Sequence, residues 1–345
     1  MAQPIEDYAV LGDTGTAALV GRDGSVDWLC LPRFDSPACF AALLGTEEHG
    51  RWLLAPVGEA SSTRCYVDGS FVLETTHETA SGAVKVTDLM PIGDGRADLV
   101  RRVEGLSGVV MMRHEWVVRF SYGKVRPWVS RRRDPSGAEV ITAIAGADML
   151  VLRGPRLPKA ADGTHADEFE VNAGDSLTFS TTWFKSHRDL PTMLDVDKRL
   201  RESIQLSQRW ARHNTYRGPY REQVMRSLLV LRLLTHGGTG GIVAAPTTSL
   251  PEEFGGERNW DYRYCWLRDA SLTLEAFLSA GYENEATIWR SWLLRAIAGD
   301  PQDMQIMYAV DGARELPERE LHHLPGYANS RPVRVGNGAV GQHQS

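Results

Sequence analysis

The sequence predicts two parts, a β-rich N-terminal domain and a helical region that follows it. Two observations predict this fold class. Short β-prone runs separated by Gly, Asp and Ser turns fill the chain up to about residue 190, with no long helical period between them. Beyond that point, apolar residues recur at helical spacing. With 345 residues, the chain is long enough for two domains with separate cores.

The β-prone runs are joined by turns that favour antiparallel pairing. Asp23-Gly24 separates two short runs, and Ala80-Ser81-Gly82 separates two more. Short strands with such turns are typical of a sandwich or a barrel. We therefore predict an antiparallel β domain over residues 1–190. The remaining β-prone runs are 108–120, 138–144, 149–153 and 176–184.

The helical region is predicted to begin with a polar linker helix over residues 191–216. Three amphipathic patterns follow within 217–345, at 220–234, 272–280 and 288–296, each ended by glycine. Three helices enclose little core on their own. Three explanations stay open: the chain is truncated, the helical layer packs on the β domain, or the region dimerises.

Composition argues against several classes of function. The net charge of −6 disfavours binding to nucleic acid or to an anionic membrane, since both need clustered positive charge. The four cysteines are too few for a disulfide framework, and no C-x-x-C spacing indicates zinc. No signal-peptide pattern and no membrane-spanning apolar stretch is visible. These features predict a cytoplasmic protein without a metal site.

Residues 259–269 carry the pattern with the clearest chemical meaning. Their four aromatic residues alternate with period two, so an extended backbone would place them on one face. In one interpretation they are core residues and Asp269 is the N-cap of the next helix. In the other they form a platform for sugar rings, and Arg268 and Asp269 bind sugar hydroxyls. The four aromatic residues are Trp260, Tyr262, Tyr264 and Trp266.

Three separated motifs resemble glycoside hydrolase family 15, which contains glucoamylases, glucodextranases and bacterial trehalases. Residues 242–269, from Ile-Val-Ala-Ala-Pro to Trp-Leu-Arg-Asp, are similar to the first helix–loop–helix region of the family. Residues 13–37 are similar to the trehalase-like N-terminal β domain of its bacterial members. Residues 324–337, with Leu-Pro-Gly-Tyr and Arg-Pro-Val-Arg-Val-Gly-Asn, match a third bacterial motif. The resemblance covers essentially the whole chain.

This resemblance implies a β-sandwich followed by the first helices of an (α/α)6 barrel, incomplete in this chain. It implies inverting, exo-acting hydrolysis of α-linked glucosides, such as maltooligosaccharides or trehalose, without a cofactor. By position, Arg268 and Asp269 match the pair that binds the terminal glucose in the family. Trp266 and Tyr262 match aromatic residues that line the same subsite.

The two catalytic carboxylates of the family are not recognisable in this sequence. An inverting glycosidase places an acid and a base about 6.5–9.5 Å apart, with a water molecule between the base and the sugar. The Gly-x-Trp-Glu pattern expected around the acid is absent. Arg331 and Arg334 lie near the region that shapes the next subsite in the family, with a structural or solvated role as the alternative. We interpret the remaining acids and the pair His322-His323 as solvated loop residues: Glu252, Glu253, Glu257, Glu315, Glu318 and Glu320.

Two functions therefore stay open at this point. The first is a glucoside hydrolase of the family-15 type, whose chain as given is expected to be inactive. The second is a non-catalytic module that binds carbohydrate or a partner chain. An incomplete helical region would also expose apolar side chains such as Leu228, Trp289 and Leu293, which predicts self-association.

Overall fold

The computed structural model describes residues 2–161 and 163–341, which divide into two compact units. The first unit comprises the residues up to Asp13, together with Ala18–Pro32 and Pro37–Leu206. The second comprises Thr14–Ala17, Arg33–Ser36 and the residues from Ser207 onward. Two short N-terminal segments thus belong to the second unit.

Antiparallel strand pairs build the first unit, as its turn pattern predicts. Among the described residues the strands form one continuous hydrogen-bonded network with the main order β1-β2-β3-β5-β9-β15-β12-β11-β10. The strands are β1 (Tyr8–Gly12), β2 (Ala17–Gly21), β3 (Ser25–Cys30), β4 (Ala38–Phe40), β5 (Arg51–Pro56), β6 (Ser61–Tyr66), β7 (Leu73–Thr79), β8 (Gly82–Leu89), β9 (Ala97–Val117), β10 (Trp128–Arg133), β11 (Glu139–Ala145), β12 (Asp148–Arg153), β13 (Lys159–Ala161), β14 (Thr164–Asn172) and β15 (Ser176–Lys185).

The long strand β9 joins the two layers of this unit. Its first half pairs with β8 and β15, and its second half pairs with β5 and β14. Gly108 lies where the two halves meet and has a φ of 59°. A Cβ atom at this position would lie 2.1 Å from the carbonyl oxygen of Ser81, so only glycine fits. A strand that passes between layers in this way forms the corner of a sandwich.

Both layers contribute apolar side chains to one core. Trp52, Met112, Val86, Leu99 and Phe179 belong to one cluster of buried residues. Burial alternates along β7, as expected for a strand with one inner face, whereas β2 and β3 are buried at every position. The predicted N-terminal antiparallel β-sandwich is confirmed.

One histidine in this core makes the stability of the first unit depend on pH. His114 is buried, and its Nε2 accepts a hydrogen bond from the indole N–H of Trp52 at 2.8 Å. Burial, assisted by the charge of Arg101, lowers the pKa of His114 to about 3. Between these two pKa values His114 is protonated in the unfolded chain but neutral in the folded chain. The free energy of unfolding therefore decreases as the pH falls below the unfolded pKa of about 6.5.

We expect a His114→Gln variant, which cannot titrate there, to lose less stability between pH 6.5 and pH 5 than the wild-type protein. The difference approaches about 1.4 kcal/mol per pH unit at the lower end of this range. Urea unfolding at several pH values measures it, with His187→Gln, an exposed site, as the control. Parallel pH profiles for the wild type and His114→Gln would contradict the assignment.

The second unit contains the helices predicted from the amphipathic patterns. α1 (Val196–Ala211) crosses the chain position at which the two units divide, and α2 (Arg221–Leu233), α3 (Leu267–Ser279) and α4 (Glu283–Ala296) follow. Two short strand pairs accompany them. These are β16 (Cys265–Trp266) with β17 (Met307–Tyr308), and β18 (Arg319–Glu320) with β19 (Arg334–Val335). No helix among the described residues is long and apolar enough to cross a membrane.

The exposed apolar surface of the helices differs from the sequence-based expectation. Leu228 is buried against Phe277 and Tyr282, so the expectation that it is exposed is wrong. Trp289 and Leu293 are half-buried. The helical pattern marks an apolar face but does not say which part of it packs inside the unit. Self-association stays a prediction, and the exposed side chains that would mediate it are Leu272, Leu278, Ile288 and Leu294.

Candidate functional site

The segment 259–269 is extended in part, and its burial alternates as the sequence predicts. Asp261 forms an isolated β-bridge with Thr248, and Cys265–Trp266 pairs with β17. The odd-numbered positions from 259 to 267 are buried, and the aromatic side chains at 260, 262 and 266 are half-buried. The charged face of the segment therefore points inward.

A buried ion pair anchors this segment in the second unit. Arg263 and Asp261 have side-chain exposures of 1% and 0%, with 2.6 Å between Nη2 and Oδ2. Arg263 Nη1 also donates to the carbonyl oxygen of Ser36 at 2.9 Å, in a short segment of the same unit. Gly336 N–H donates to Asp261 at 3.1 Å. Each charge thus has several partners, which a buried pair needs to offset its desolvation.

The motif around residues 330–337 packs beside this ion pair. The hydroxyls of Thr248 and Ser249 both donate to the carbonyl oxygen of Arg334, at 2.5 and 2.9 Å. Asn259 donates to the carbonyl oxygen of Pro332 at 3.2 Å. Hydrogen bonds therefore hold the motif of residues 242–269 against the motif of residues 324–337, and Thr248, Ser249 and Asn259 have a structural role.

The four aromatic residues do not share one accessible face. Tyr264 is buried in a cluster with Met307 and Leu316, so the expectation of a four-residue platform is wrong at this position. The guanidinium of Arg334 lies 4.9 Å from the ring centroid of Trp260. Tyr262 and Trp266 remain as an adjacent pair.

Tyr262 and Trp266 meet the Arg268–Asp269 pair at the start of α3. The rings of Tyr262 and Trp266 are 5.8 Å apart between centroids, and Arg268 lies 5.6 Å from the Trp266 ring centroid. Arg268 Nη2 lies 3.0 Å from Asp269 Oδ2. The structure thus brings together all four residues predicted to bind substrate.

Asp269 is not a helix N-cap, which removes one of the two interpretations of this residue. Trp266 occupies the N-cap position of α3 without a capping side-chain hydrogen bond, and Asp269 lies in the first turn. A carboxylate in the first turn still interacts favourably with the helix dipole. The Arg268 and Asp269 side chains are 62% and 33% exposed. Ion pairs this exposed contribute at most about 1 kcal/mol to stability, so both charges are available to a ligand.

Two further polar atoms belong to this group of residues, the Tyr262 hydroxyl and Trp266 Nε1. Burial, and next the charge of Glu252, raise the pKa of the Tyr262 phenol, which therefore stays protonated at neutral pH. Trp266 Nε1 is shielded from solvent and has no hydrogen-bond partner among the described residues. A buried donor without a partner is costly, and a ligand oxygen would relieve that cost.

The other candidate residues lie elsewhere on the second unit. Arg331 and Arg334 line a cavity of about 350 Å³ together with Glu257, Glu320 and His322. Its lining does not include Tyr262, Trp266, Arg268 or Asp269.

The six candidate glutamates are exposed: Glu252, Glu253, Glu257, Glu315, Glu318 and Glu320. Glu318 and Glu320 face Arg334, at 3.5 and 3.8 Å. Within residues 2–161 and 163–341, no group of three His, Cys, Asp or Glu side chains could hold a metal ion.

Sequence reasoning missed the Asp261–Arg263 pair. The signal was present, because period-two alternation places both residues on the face opposite the aromatic side chains. Charged residues are rarely buried without a partner, so the pattern alone favours the aromatic face as the one with a possible core role.

Comparison with protein families confirms the predicted resemblance. Residues 218–345 match the model of glycosyl hydrolases family 15, and residues 1–165 match the model of the trehalase-like N-terminal domain. Each model matches less than half of the chain, and the two matched regions together span most of its length.

Several curated relatives are trehalases. The chain is 36% identical to a trehalase of Mycolicibacterium smegmatis, over 99% of this chain and 55% of the relative. It is 34% identical to a trehalase of Thermoplasma acidophilum, over 94% of this chain and 56% of the relative. The chain therefore spans about half the length of the curated relatives it matches.

A solved structure shows the same fold. A bacterial glucoamylase in complex with acarbose matches with a TM-score of 0.65 at 11% identity, over 91% of this chain and 53% of the glucoamylase chain. The predicted fold class, a β-sandwich followed by the first helices of an incomplete glucoamylase-type barrel, is confirmed.

Proposed function

We propose that Tyr262, Trp266, Arg268 and Asp269 form the part of an α-glucoside hydrolase site that holds the non-reducing glucose. The observation that carries this proposal is the contrast between two neighbouring Arg–Asp pairs. Asp261–Arg263 is buried and has several hydrogen-bond partners, whereas Arg268–Asp269 is more exposed and lies beside two half-buried aromatic rings. The Asp261–Arg263 pair stabilises the fold, whereas the Arg268–Asp269 pair has no comparable structural role.

The chemistry of these groups suits a glucose ring. The Asp269 carboxylate accepts hydrogen bonds from hydroxyls, and the Arg268 guanidinium donates along a planar fork. The aromatic rings can cover the apolar faces of the sugar and shield it from water. The named trehalase relatives support trehalose as a substrate, and the glucoamylase complex supports maltooligosaccharides. The proposal includes both.

Hydrolysis with inversion would need a general acid and a general base in addition to this site. We propose that this chain lacks both carboxylates of the family. Among the acids considered above, Glu318 and Glu320 face Arg334, an arrangement that favours a structural role. The four cysteines are free thiols, which supports a reducing compartment such as the cytoplasm.

We therefore expect the purified chain to release no glucose above buffer from maltose, maltotriose, soluble starch or trehalose. General acid catalysis alone contributes about 10²–10⁴-fold, so losing acid and base together removes most of the acceleration. A coupled glucose assay across about pH 4–8 covers the titration range of carboxylates and histidine. Glucose release that disappears in Glu315→Gln, Glu318→Gln or Glu320→Gln would contradict the proposal that the carboxylates are missing.

A further inference from the structure

One cavity in the first unit has no role in the function proposed above. It has a volume of about 660 Å³ and is lined by residues of the strands β5, β6, β7 and β9 and of the turn before β3. The lining includes the aliphatic residues Leu53, Pro56 and Val57. Its size is within the range of small-molecule sites, about 300–1,000 Å³.

Two residues that line this cavity each carry a side-chain nitrogen without a hydrogen-bond partner. Arg51 Nε and His77 Nε2 are both shielded from solvent and unpaired among the described residues. The other ring nitrogen of His77 is 2.8 Å from the hydroxyl of Ser62, which also lines the cavity. An unsatisfied buried polar atom costs more than a satisfied one, so two such atoms in residues of one cavity point to a missing partner.

The charges around the cavity favour a neutral ligand over an anion. Arg22 and Arg113 line the cavity with Arg51, and each of the three guanidiniums already has a carboxylate of its own. The ion-pair distances are 2.6 Å from Arg22 to Asp7, 2.5 Å from Arg51 to Glu115, and 2.8 Å from Arg113 to Glu168. Asp23 adds a further negative charge to the lining. The positive charge is therefore balanced, although N–H donors remain.

Hydroxyl groups match the unpaired atoms. Burial lowers the pKa of His77 to about 4, so the imidazole is neutral at physiological pH. Its Nε2 donates or accepts according to the orientation of the Ser62 hydroxyl. A ligand hydroxyl can serve in either role and can also accept from Arg51 Nε. A carboxylate or a phosphate dianion can only accept and would meet the surrounding acids.

We propose that this cavity is a second binding site, on the N-terminal unit, for a neutral polyhydroxylated small molecule such as a sugar or a polyol. It is separate from the site around Arg268 and does not depend on it.

The test is a nuclear magnetic resonance titration of the full chain carrying Asp269→Ala, which weakens the site in the second unit. Trehalose, maltose and myo-inositol are the probes, and backbone amide signals of β5 and β6 are followed. We expect saturable shifts in these strands for at least one probe. Arg51→Lys, which keeps the charge but lacks Nε, should weaken binding about tenfold.

Arg156→Lys is the matched control, because Arg156 pairs with Asp167 on the same unit outside the cavity. If Arg51→Lys unfolds the protein, Ser62→Ala replaces it and leaves the ion pairs of Arg51 in place. Titration with sodium sulfate tests the charge argument. The proposal is overturned if no probe gives saturable shifts in β5 and β6, if the lining variants bind as the control does, or if only sulfate binds.

Discussion

Replacing Asp261 by alanine is expected to lower the free energy of unfolding of the second unit by about 3–5 kcal/mol. The change leaves the Arg263 guanidinium buried without its carboxylate, and Arg263 is 0% exposed. It also removes the acceptor of the Gly336 N–H bond. Asp261 therefore neutralises the buried Arg263 guanidinium and also fixes the backbone at Gly336.

Chemical denaturation followed by tryptophan fluorescence measures this effect, with Asp269→Ala as the matched control. Asp269 pairs with Arg268 in the same segment, but that pair is exposed. The control should change stability by less than about 1 kcal/mol. The double variant Asp261→Ala/Arg263→Met removes both charges and should be more stable than Asp261→Ala alone. Equal effects of the Asp261 and Asp269 substitutions would show that the buried pair does not anchor the segment.

The second large effect concerns sugar binding. Asp269→Ala should weaken the binding of trehalose and maltose to the second unit about 10–100-fold, because a hydroxyl-binding site loses a charged acceptor. Stability should be nearly unchanged, since the ion pair is exposed. Binding loss without unfolding separates a ligand-binding role from a structural one.

Calorimetric titration compares Asp269→Ala with Glu283→Ala. Glu283 is an exposed acid in the first turn of α4, as Asp269 is an acid in the first turn of α3. The control variant should bind as the wild type does. If both variants bind equally well, Asp269 has no part in sugar recognition.

Periodicity in the sequence predicted much of this fold for physical reasons. Hairpin turns at Asp23-Gly24 and around Gly82 are local signals, and the structure places β2–β3 and β7–β8 around them. The amphipathic patterns located α2, α3 and α4 for the same reason, since residues three and four apart share a helix face. The spacing of residues was sufficient to predict hairpins and helices, because contacts between sequence neighbours determine these elements.

Contacts between distant residues were beyond the reach of such patterns. Arg263 is buried because the carbonyl oxygen of Ser36, 227 positions away, accepts its hydrogen bond. Tyr264 is buried because Met307 and Leu316 pack around it. Alternation divided the segment into two faces, but only these distant partners decide which face is the inner one. The four candidate binding residues were found by resemblance to a family motif, and the pattern alone left two interpretations.

The most direct test of the account is whether the indole N–H of Trp266 responds to sugar. This nitrogen lacks a partner among the described residues and lies in the site with Tyr262 and Arg268. Its signal in a nitrogen-15 spectrum can be assigned by its loss in Trp266→Phe. We predict a saturable shift of this signal with trehalose or maltose in the wild-type chain, much reduced in Asp269→Ala. A signal that stays unchanged at saturating concentrations of both sugars would contradict the proposed glucose site.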